Sequence, residues 1–384
     1  MNPKPRTRPA RSSSNGSDRL RVAIVAPSID ILGGQAIQAQ RLLRGWAGDP
    51  DIDAFLVPIN PRPPRLLAPV RRVKGLRTLV TQAMYWPSLL RTLRSADVVH
   101  VFSASYLSFI LSPLPAILAA RVHGKSVLLN YRSGEASDHL RRSPLARAAI
   151  RRCDRVAVPS RFLADVFAGH AIETRVIPNT IDLDRFAFRR RTVLRPHLLS
   201  TRSLEPMYNV ACTLRAFRLV QDRHPDATLT VAGGGSQRAE LTDLAARLGL
   251  QSVRFLGSVA PDEIWRRYAD ADIYVQTPDI DNMPSSVLEA FASGTPVVAT
   301  AIGGVPSILD DGVHGLLAPG NDHEAVARHV LDLLEDPGLA DRLASAARES
   351  CERYRWTSVR GQWLSLYREL VGQRVAVAAE VRHA

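Results

Sequence analysis

The sequence has few cysteines, few aromatic residues and no long apolar run. Three cysteines, Cys153, Cys212 and Cys351, are scattered over 384 residues, so we expect neither a disulfide framework nor a cysteine metal site, as in a reducing cytoplasm. The longest apolar run, at 106–120, contains two prolines and is too short to span a bilayer. Residues 1–20 are rich in Pro, Ser and Arg without an apolar core, which predicts a disordered basic tail rather than a signal peptide.

Acidic residues are also scarce relative to basic ones, and the formal net charge is +13. The segment 61–94 has no acid and interleaves apolar residues with eight basic ones: Arg62, Arg65, Arg71, Arg72, Lys74, Arg77, Arg91 and Arg94. Such a face suits an anionic membrane surface or nucleic acid, or is an ordinary solvated arginine-rich surface. Aromatic residues are only 6% and no zinc-finger or base-stacking signature is present, so we expect no nucleic-acid partner and favour peripheral contact with the inner face of a membrane.

Short apolar runs alternate with helical patterns along the chain, which predicts parallel sheets covered by helices. The first group of expected strands is RVAIVAP, AFLVPI, DVVHVF, SVLLNY, RVAVPS and RVIPN. The second group is HLLST, LTVAG, VRFLG, IYVQT, PVVAT and GLLAP. A charge-dense linker with a proline, at 186–197, separates them. The predicted fold is therefore α/β, with two doubly wound domains, at 21–188 and 189–355, facing one another across a cleft.

Two carboxylates, Asp281 and Glu289, lie eight positions apart in the stretch DNMPSSVLEAFASGTPVVAT. Asn282 is a good N-cap, so we expect a helix that begins here and ends at Gly294, between two buried strands. Ligands of such units collect at the carboxyl end of the first strand, beside the N-terminus of the helix. Asp281 would then stand near a reacting end of a ligand, with Glu289 about 12 Å along the helix. A turn aspartate and a solvated helix glutamate remain the ordinary alternative.

Glycine-bearing turns follow three of the expected strands. Gly33 and Gly34 come after the first strand, Gly233 lies in AGGGSQ, and IGGVPSILDDGVHG occupies 302–315. Bare backbone at such a turn can approach a phosphate, although each turn alone is equally typical of a plain helix–strand connection. No strict G-x-G-x-x-G with a following ribose acid occurs, which disfavours a dehydrogenase. Three such turns together favour a phosphate-bearing ligand between the domains.

Four segments in the same order as in a known family carry a resemblance: VIPNTIDLDRF (176–186), LEAFASGTPVVAT (288–300), GGVPSILDDGVHGLLAPGND (303–322) and YRWTSVRGQWLSLYREL (354–370). They are similar to the signature segments of retaining glycosyltransferases of family four, which have the GT-B fold. The resemblance extends over nearly everything from 21 to 370. It implies two Rossmann-like domains, the first for the acceptor and the second for the nucleotide-sugar. It also implies that 356–384 is a C-terminal helix that crosses back to the first domain.

The resemblance implies roles for both acids and for one arginine. In this family two glutamates at the same spacing flank the donor. Glu289 matches the glutamate that holds the ribose hydroxyls, and Asp281 stands, one methylene shorter, where the family has a glutamate beside the transferred sugar. Arg202 matches an arginine on the diphosphate. Asp281 and Arg202 are therefore expected to be catalytic.

Further donor contacts follow from the same resemblance. The backbone amides of Ser285 and Ser286 would face the distal phosphate or the sugar, and Val259 matches a backbone position that contacts the base. With the glycines, the expected donor-binding set is Gly33, Gly34, Gly233, Val259, Ser285, Ser286, Glu289 and Tyr208.

Besides Asp281, two further positions depart from the family pattern. In the family a lysine usually follows the diphosphate arginine, but here the segment has Met207 and Tyr208. A single cation must therefore bind the diphosphate, together with helix N-termini and a tyrosine hydroxyl. The histidine at the end of the fourth strand is replaced by Arg132, which cannot be a general base near neutral pH. Arg132 is expected instead to bind acceptor or phosphate as a third catalytic residue, with His139 as a weaker substitute for the histidine.

A retaining transfer of this type tolerates the loss of the histidine, because the departing β-phosphate oxygen can itself take the acceptor proton. We therefore expect a retaining glycosyltransferase that moves a sugar from a nucleotide-sugar donor to a polysaccharide or lipid-linked acceptor of the cell envelope. The alternative is a catalytically degenerate nucleotide-sugar-binding module of the same fold. Short D-x-D triplets occur, but they arise easily by chance, so we expect neither a metal nor a cofactor.

Overall fold

The computed structural model describes residues 19–30, 33–62 and 74–383. Most of the predicted basic tail and the part of the basic segment at 63–73 lie outside the described residues.

A parallel six-stranded sheet forms the first half of the molecule, in the order β2-β1-β3-β4-β5-β6. Its strands are β1 (Leu20–Ala26), β2 (Ile52–Pro58), β3 (Val98–Ser103), β4 (Ser126–Tyr131), β5 (Arg155–Val158) and β6 (Arg175–Val176). The connecting helices are α1 (Gly34–Trp46), α2 (Lys74–Thr92), α3 (Tyr106–Leu111), α4 (Pro113–Val122), α5 (Ala136–Arg142), α6 (Pro144–Ile150) and α7 (Arg161–Ala168).

A second parallel six-stranded sheet has the order β12-β11-β10-β7-β8-β9. Its strands are β7 (His197–Ser200), β8 (Thr228–Val231), β9 (Val253–Phe255), β10 (Ile273–Gln276), β11 (Val297–Thr300) and β12 (Leu316–Ala318). The helices are α8 (Val210–Arg223), α9 (Arg238–Arg247), α10 (Ile264–Asp270), α11 (Ser285–Ala292), α12 (His323–Glu335), α13 (Pro337–Ser350) and α14 (Trp356–His383).

All the strands of both sheets coincide with apolar runs that the sequence predicts as strands. Buried parallel strands are covered on both faces, so they are continuous apolar segments, and β3, β4, β10 and β11 are buried along their full length. The predicted α/β fold with two doubly wound Rossmann-like sheets is therefore confirmed.

The second sheet places two loops side by side. Its strand order reverses direction between β7 and β10, which pair directly. Ligands of open α/β sheets bind outside the carboxyl ends of the strands at such a switch point. The chain leaving β7 carries Arg202 and the chain leaving β10 carries Asp281, so the fold brings these two residues together.

Helix α14 crosses back to the first sheet, as predicted. Trp363 and Tyr367 pack in one apolar cluster with Val22 and Ile24 of β1 and with Trp46 of α1. Apolar burial of this kind stabilises the contact, since a fully buried large apolar side chain contributes roughly 1.5–3 kcal/mol. The two halves are therefore joined both by the linker and by the C-terminal helix.

The linker at 186–197 is held firmly against the second half. Its Arg189 and Arg195 contact the buried carboxylate of Asp272 at 2.5 and 2.8 Å. Arg191, whose side chain is 2% exposed, donates hydrogen bonds to backbone carbonyls that include those of Tyr268 and Ala271. The arginines of this segment are therefore structural. The domain limits at 188 and 189 stay a prediction.

None of the helices in the described ranges combines the length and the apolar character needed to cross a membrane.

Candidate active site

The residues that the sequence analysis assigned to donor binding or catalysis all line one cavity of about 520 Å³ between the two sheets. They are Gly33, Gly34, Arg132, Arg202, Tyr208, Gly233, Val259, Asp281, Ser285, Ser286 and Glu289. The cavity is large enough for a nucleotide-sized ligand. The placement is a finding, whereas the role of each residue stays a prediction.

Arg202 and Asp281 form an ion pair in the wall of this cavity. Nη2 of Arg202 lies 2.7 Å from Oδ2 of Asp281, and their side chains are 11% and 10% exposed. The two atoms form an ion pair, but their geometry is not that of a hydrogen bond. Oδ2 therefore has no hydrogen-bond partner among the described residues. Oδ1 of Asp281 accepts a hydrogen bond from the backbone N–H of Asn282. One carboxylate oxygen is thus left available for a better hydrogen bond.

Burial and charge compete at this pair. Burial raises the pKa of Asp281, and the neighbouring Arg202 opposes that rise. Burial also acts against the charge of Arg202, but Asp281 and nearby tyrosines outweigh it and raise the pKa of the guanidinium. The Tyr208 ring lies 4.1 Å from the guanidinium carbon, a cation–π distance. Arg202 is therefore a permanent cation at the switch point of the second sheet.

Helix α11 begins later than the sequence predicts. The prediction of an N-cap at Asn282 is wrong, because Pro284 takes the N-cap position and Ser285 is the first helical residue. The Asn282 side chain is used elsewhere: its Oδ1 accepts from the hydroxyl of Ser160 at 2.5 Å. The predicted end of the helix is confirmed, since Gly294 follows the C-cap with a φ of 66°.

The first turn of α11 is oriented toward the cavity. Ser285 and Ser286 belong to this turn, where backbone N–H groups have no intrahelical acceptor. Oγ of Ser286 accepts a hydrogen bond from Nη1 of Arg202 at 3.1 Å. Oγ of Ser285 accepts one from Nε2 of Gln38, on α1 of the first half, at 2.9 Å. This helix N-terminus and the Arg202 cation favour an anionic ligand at the same end of the cavity.

Glu289 is paired with a residue that the sequence analysis did not single out. Nη2 of Arg41 on α1 donates a hydrogen bond to its Oε1 at 2.8 Å, across the cleft. Nη1 of Arg41 donates to the carbonyl of Thr180 at 2.9 Å. Arg41 lies seven residues after Gly34, and Gln38 four residues after it, so helical spacing places all three on one face. That spacing was the signal available in the sequence.

Arg132 follows β4 and enters the cavity from the first half. Its Nη1 donates to Oδ1 of Asn130 at 3.3 Å, and its Nη2 donates to Oδ1 of Asn179. Nδ2 of Asn179 in turn donates to the carbonyl of Met283 at 2.8 Å, in the loop that carries Asp281. Asn179 lies in the segment VIPNTIDLDRF (176–186), and the sequence alone predicts no role for it.

The suggestion that His139 replaces the missing histidine is wrong. His139 is buried on α5 and its Nδ1 shares a hydrogen bond with the hydroxyl of Tyr131 at 2.8 Å. It packs against the rings of Tyr106 and Phe109 and is not part of the cavity wall. Burial lowers its pKa, so it is a neutral core residue.

The glycine turns serve packing as well as access. A Cβ at Gly233 would lie 2.0 Å from the carbonyl oxygen of Arg202, so this glycine allows two loops of the cavity to touch. No atom of the described residues lies within 4 Å of a Cβ added at Gly33 or Gly34, as expected for a turn that faces a ligand. The third turn differs from expectation, because Gly303 lies behind the cavity, where a Cβ would be 2.1 Å from the carbonyl oxygen of Asp281.

Within the described part of the chain, histidine, cysteine and carboxylate side chains form no group that could hold a metal ion.

Two family models match the chain in consecutive blocks. Residues 32–185 match the model described as glycosyltransferase family 4, and residues 186–350 match the model described as glycosyl transferases group 1.

Curated relatives are similar over part of their length. A GDP-mannose-dependent alpha-(1-6)-phosphatidylinositol monomannoside mannosyltransferase of Mycolicibacterium smegmatis is 31% identical over 56% of this chain and 63% of the relative. A D-inositol 3-phosphate glycosyltransferase of Corynebacterium urealyticum is 35% identical over 41% of this chain and 39% of the relative. The chain thus spans less than two thirds of the length of these relatives.

Solved structures are similar over nearly the whole chain. Sucrose-phosphate synthase from Thermosynechococcus elongatus has a TM-score of 0.74 at 18% identity, covering 92% of this chain and 100% of that one. Anabaena HepE in complex with UDP-glucose has a TM-score of 0.68 at 17% identity, covering 94% and 100%. At this identity the likeness shows the fold alone, which is GT-B.

Proposed function

The chain belongs to glycosyltransferase family 4, and from that premise we propose that it is a retaining enzyme that moves a sugar from a nucleotide-sugar donor to a saccharide or lipid-linked acceptor of the cell envelope. One observation carries the proposal. The Arg202 and Asp281 side chains meet at 2.7 Å at the switch point of the second sheet, beside the first turn of α11. A permanent cation and free helix amides suit a diphosphate, and the carboxylate suits a sugar hydroxyl.

The donor binds across the cavity in this proposal. The diphosphate takes Arg202 and the N–H groups of Ser285 and Ser286, while Glu289 holds the ribose. Asp281, displaced from Arg202, accepts a hydrogen bond from the transferred sugar. These contacts orient the donor and stabilise the negative charge that grows on the diphosphate as it leaves.

The chemical step needs no side chain as general base. The bond between the anomeric carbon and the β-phosphate oxygen breaks, and the acceptor hydroxyl oxygen bonds to that carbon on the same face of the sugar. The acceptor proton passes to the departing phosphate oxygen. Arg132 is a cation in this cavity and cannot accept that proton. This scheme accommodates an arginine where the family has a histidine.

Relatives support the classes of donor and acceptor. The names of the two mannosyl- and glycosyltransferases above include a GDP-mannose donor and acceptors that are a phosphatidylinositol mannoside and an inositol phosphate. We therefore propose a polar, envelope-type acceptor that is bound by the first half of the chain.

A donor panel tests the proposal. Purified protein is screened with UDP-, GDP-, ADP- and TDP-sugars for thermal stabilisation and slow donor hydrolysis, beside Arg202→Ala and Glu289→Ala. We expect one nucleotide family to stabilise the protein and to be hydrolysed, and both variants to lose the effect. Stabilisation without turnover would favour a degenerate binding module, and no response to any donor would contradict the proposal.

We propose further that the first half touches an anionic membrane surface from the cytoplasmic side. Helix α2 exposes apolar side chains at heptad spacing, Leu76, Leu79, Trp86 and Leu90, of which Leu79 is 69% exposed. Exposed Arg77, Arg91 and Arg94 accompany them. An apolar stripe with basic neighbours suits the interface of an anionic bilayer.

Vesicle co-sedimentation tests the membrane contact. We expect the protein to sediment with phosphatidylglycerol vesicles more than with phosphatidylcholine vesicles, and Leu79→Glu to lose most of that binding. Leu145→Glu, at a leucine on α6 that is 53% exposed, is the matched control and should bind as the wild type. Equal binding by Leu79→Glu and the wild type would contradict the proposal.

We propose that transfer requires no metal, because Arg202 and the N-terminus of α11 supply the positive potential at the diphosphate. EDTA should leave the rate of donor hydrolysis unchanged. Hydrolysis that EDTA abolishes and that added Mg²⁺ or Mn²⁺ restores would contradict the proposal.

A further inference from the structure

Among the described residues, three arginines line the cavity, and carboxylates of that part of the chain pair with two of them. Arg41 pairs with Glu289 at 2.8 Å, and Arg202 pairs with Asp281 at 2.7 Å. Arg132 contacts neutral amide oxygens instead, and the described residues offer it no carboxylate within ion-pair distance. Arg132 is thus a cation in the cavity wall whose charge the described side chains leave uncompensated.

An aromatic ring covers one side of the Arg132 guanidinium. Its guanidinium lies over the ring of Phe102 at 5.3 Å. Burial lowers the pKa of Arg132 to about 9, and no neighbouring acid opposes that shift. The side chain nevertheless remains protonated at neutral pH. Arg132 is half-buried, and a half-buried cation without a counter-ion costs free energy, so its retention in a cavity points to a negatively charged ligand group.

A chain of hydrogen bonds behind Arg132 holds the guanidinium in place. Oδ1 of Asn130 accepts from Arg132, which turns Nδ2 of Asn130 toward Nε2 of His100, 3.0 Å away. Nε2 of His100 must therefore accept a hydrogen bond, and its Nδ1–H donates to the hydroxyl of Tyr367 on α14 at 2.7 Å. The cation fixes the amide orientation, and the amide fixes the histidine tautomer. Arg132 is thus anchored through β3 and β4 to the C-terminal helix.

The position of Arg132 separates it from the proposed diphosphate site. Arg202, Ser285 and Ser286 belong to the second half, whereas Arg132 and its anchor Asn130 belong to the first half. The backbone carbonyl of Arg132 accepts a hydrogen bond from Asn282 at 3.4 Å, next to Asp281. A group on Arg132 would therefore lie on the sugar side of the donor, where the transferred sugar and the acceptor meet.

We propose that Arg132 forms an anion-binding subsite for a carboxylate or phosphate that is carried by the transferred sugar or by the acceptor, and that it does not serve the diphosphate of the nucleotide. A guanidinium has five N–H donors, and the two asparagines take two of them, which leaves donors for such a group. This inference rests on the proposed function and narrows its substrate class to anionic sugars or anionic acceptors.

Calorimetric titration of the full chain tests the subsite. The nucleotide ligands are free UDP and GDP, UDP-glucose and GDP-mannose, whose sugars are neutral, and UDP-glucuronate, whose sugar is anionic. The acceptor probes are inositol phosphate and glucuronate, each compared with its neutral counterpart, inositol or glucose. The variants are Arg132→Gln and Arg132→Lys. Arg218→Gln on α8, at a side chain that is 40% exposed and pairs with Asp222, is the control for loss of one charge.

We expect the wild type to bind one anionic probe more tightly than its neutral counterpart. Arg132→Gln should lower the affinity for that probe by roughly 10- to 100-fold, the effect of losing a charge-assisted hydrogen bond. Arg132→Lys should recover part of the loss, and affinity for UDP or GDP should stay within about twofold. A selective loss of affinity for UDP-glucuronate assigns the anion to the transferred sugar. A selective loss of affinity for an anionic acceptor probe assigns it to the acceptor.

Two results would overturn the subsite. An equal loss of UDP or GDP affinity in Arg132→Gln would make Arg132 a diphosphate cation. Equal affinities of wild type and Arg132→Gln for every anionic probe would leave it without an anionic ligand. Failure of the proposed function is distinguishable, because the wild type would then bind none of the nucleotides and Arg202→Ala would change nothing.

Discussion

Compensation of charge decides what each residue of the cavity can do. Arg202 and Arg41 are balanced by Asp281 and Glu289, and in our proposal the donor diphosphate displaces Asp281 from Arg202 while the pair of Arg41 and Glu289 is kept. Arg132 is balanced by none of the described carboxylates and donates its hydrogen bonds to the amide oxygens of Asn130 and Asn179. We therefore expect the same residue type to have different roles in one cavity.

Asp281 should contribute to stability as the counter-ion of a buried arginine. Asp281→Asn leaves Arg202 unpaired, which should lower the free energy of unfolding by roughly 3 kcal/mol. Asp281→Glu keeps the charge and should cost at most about 1–2 kcal/mol through its extra methylene. Urea unfolding measures both. Asp270→Asn, at a side chain 75% exposed, is the control, and a variant Asp281→Asn as stable as the wild type would show that the pair is not a counter-ion contact.

Arg41 should position Glu289 for the ribose. Its bond to Oε1 leaves Oε2 for a ribose hydroxyl, so Arg41→Gln should weaken binding of the cognate nucleoside diphosphate by about tenfold, the effect of one good hydrogen bond. Calorimetry measures the affinity, with exposed Arg44→Gln on the same helix as the control. Tighter binding by Arg41→Gln would mean that the pair competes with the nucleotide instead.

The sequence could supply lining residues from both sides of the cleft but not every partner that they contact across it. Arg202, Asp281 and Glu289 lie at loop and helix positions that a strand–helix pattern and a family resemblance both mark. Arg41 and Asn179 become functional only through the relative placement of the two sheets, which local periodicity does not encode. The sequence marks them only weakly, Arg41 by its position on one face of α1 and Asn179 by its place in a quoted motif.

At the scale of elements, turns between strands and helices set the width of the cavity. The β8–α9 turn touches the β7–α8 loop so closely that a side chain at Gly233 has no space, whereas a Cβ at Gly34 meets no atom of the described residues within 4 Å. The sequence predicts both as glycine turns, but a sequence pattern does not distinguish a glycine required by packing from one that leaves room for a ligand.

Gly233→Ala should therefore damage the site, and Gly34→Ala should leave the fold intact. The added Cβ at Gly233 meets the Arg202 carbonyl oxygen at 2.0 Å, so the loop must shift, at a cost of roughly 1–3 kcal/mol. Thermal unfolding and nucleotide titration measure the two effects. Equal stability of the two variants would contradict this account of the turns.

The contact of β3 with α14 should give the protein a pH dependence. Burial lowers the pKa of His100 to about 3, well below its ordinary value near 6.5. The unfolded chain then binds a proton that the folded chain excludes, so the stability contributed by neutral His100 is complete above pH 6.5 and falls as the pH drops toward 3. The expected loss is about 1.4 kcal/mol per pH unit in this window.

Urea unfolding between pH 7.5 and 5.5 measures this slope for the wild type and for His100→Gln. The variant should show a shallower slope, although its stability at pH 7.5 is lower. Identical slopes would indicate that other groups govern the pH dependence.

At the scale of the whole molecule, one cleft is formed by two sheets that α14 ties together. The apolar strands and the linker define the fold class from sequence alone, because buried parallel strands leave a continuous apolar trace. The cleft itself depends on long-range contacts such as Gln38 with Ser285 and Arg41 with Glu289. We therefore expect the donor to bind in the cleft between the sheets.

A crystal structure with the nucleoside diphosphate that the donor panel selects tests that claim most directly. We expect diphosphate oxygens about 3 Å from the Arg202 guanidinium, a ribose hydroxyl on Glu289, and Asp281 moved away from Arg202. A nucleotide bound elsewhere, or an unbroken pair of Arg202 and Asp281 beside a bound nucleotide, would contradict the account.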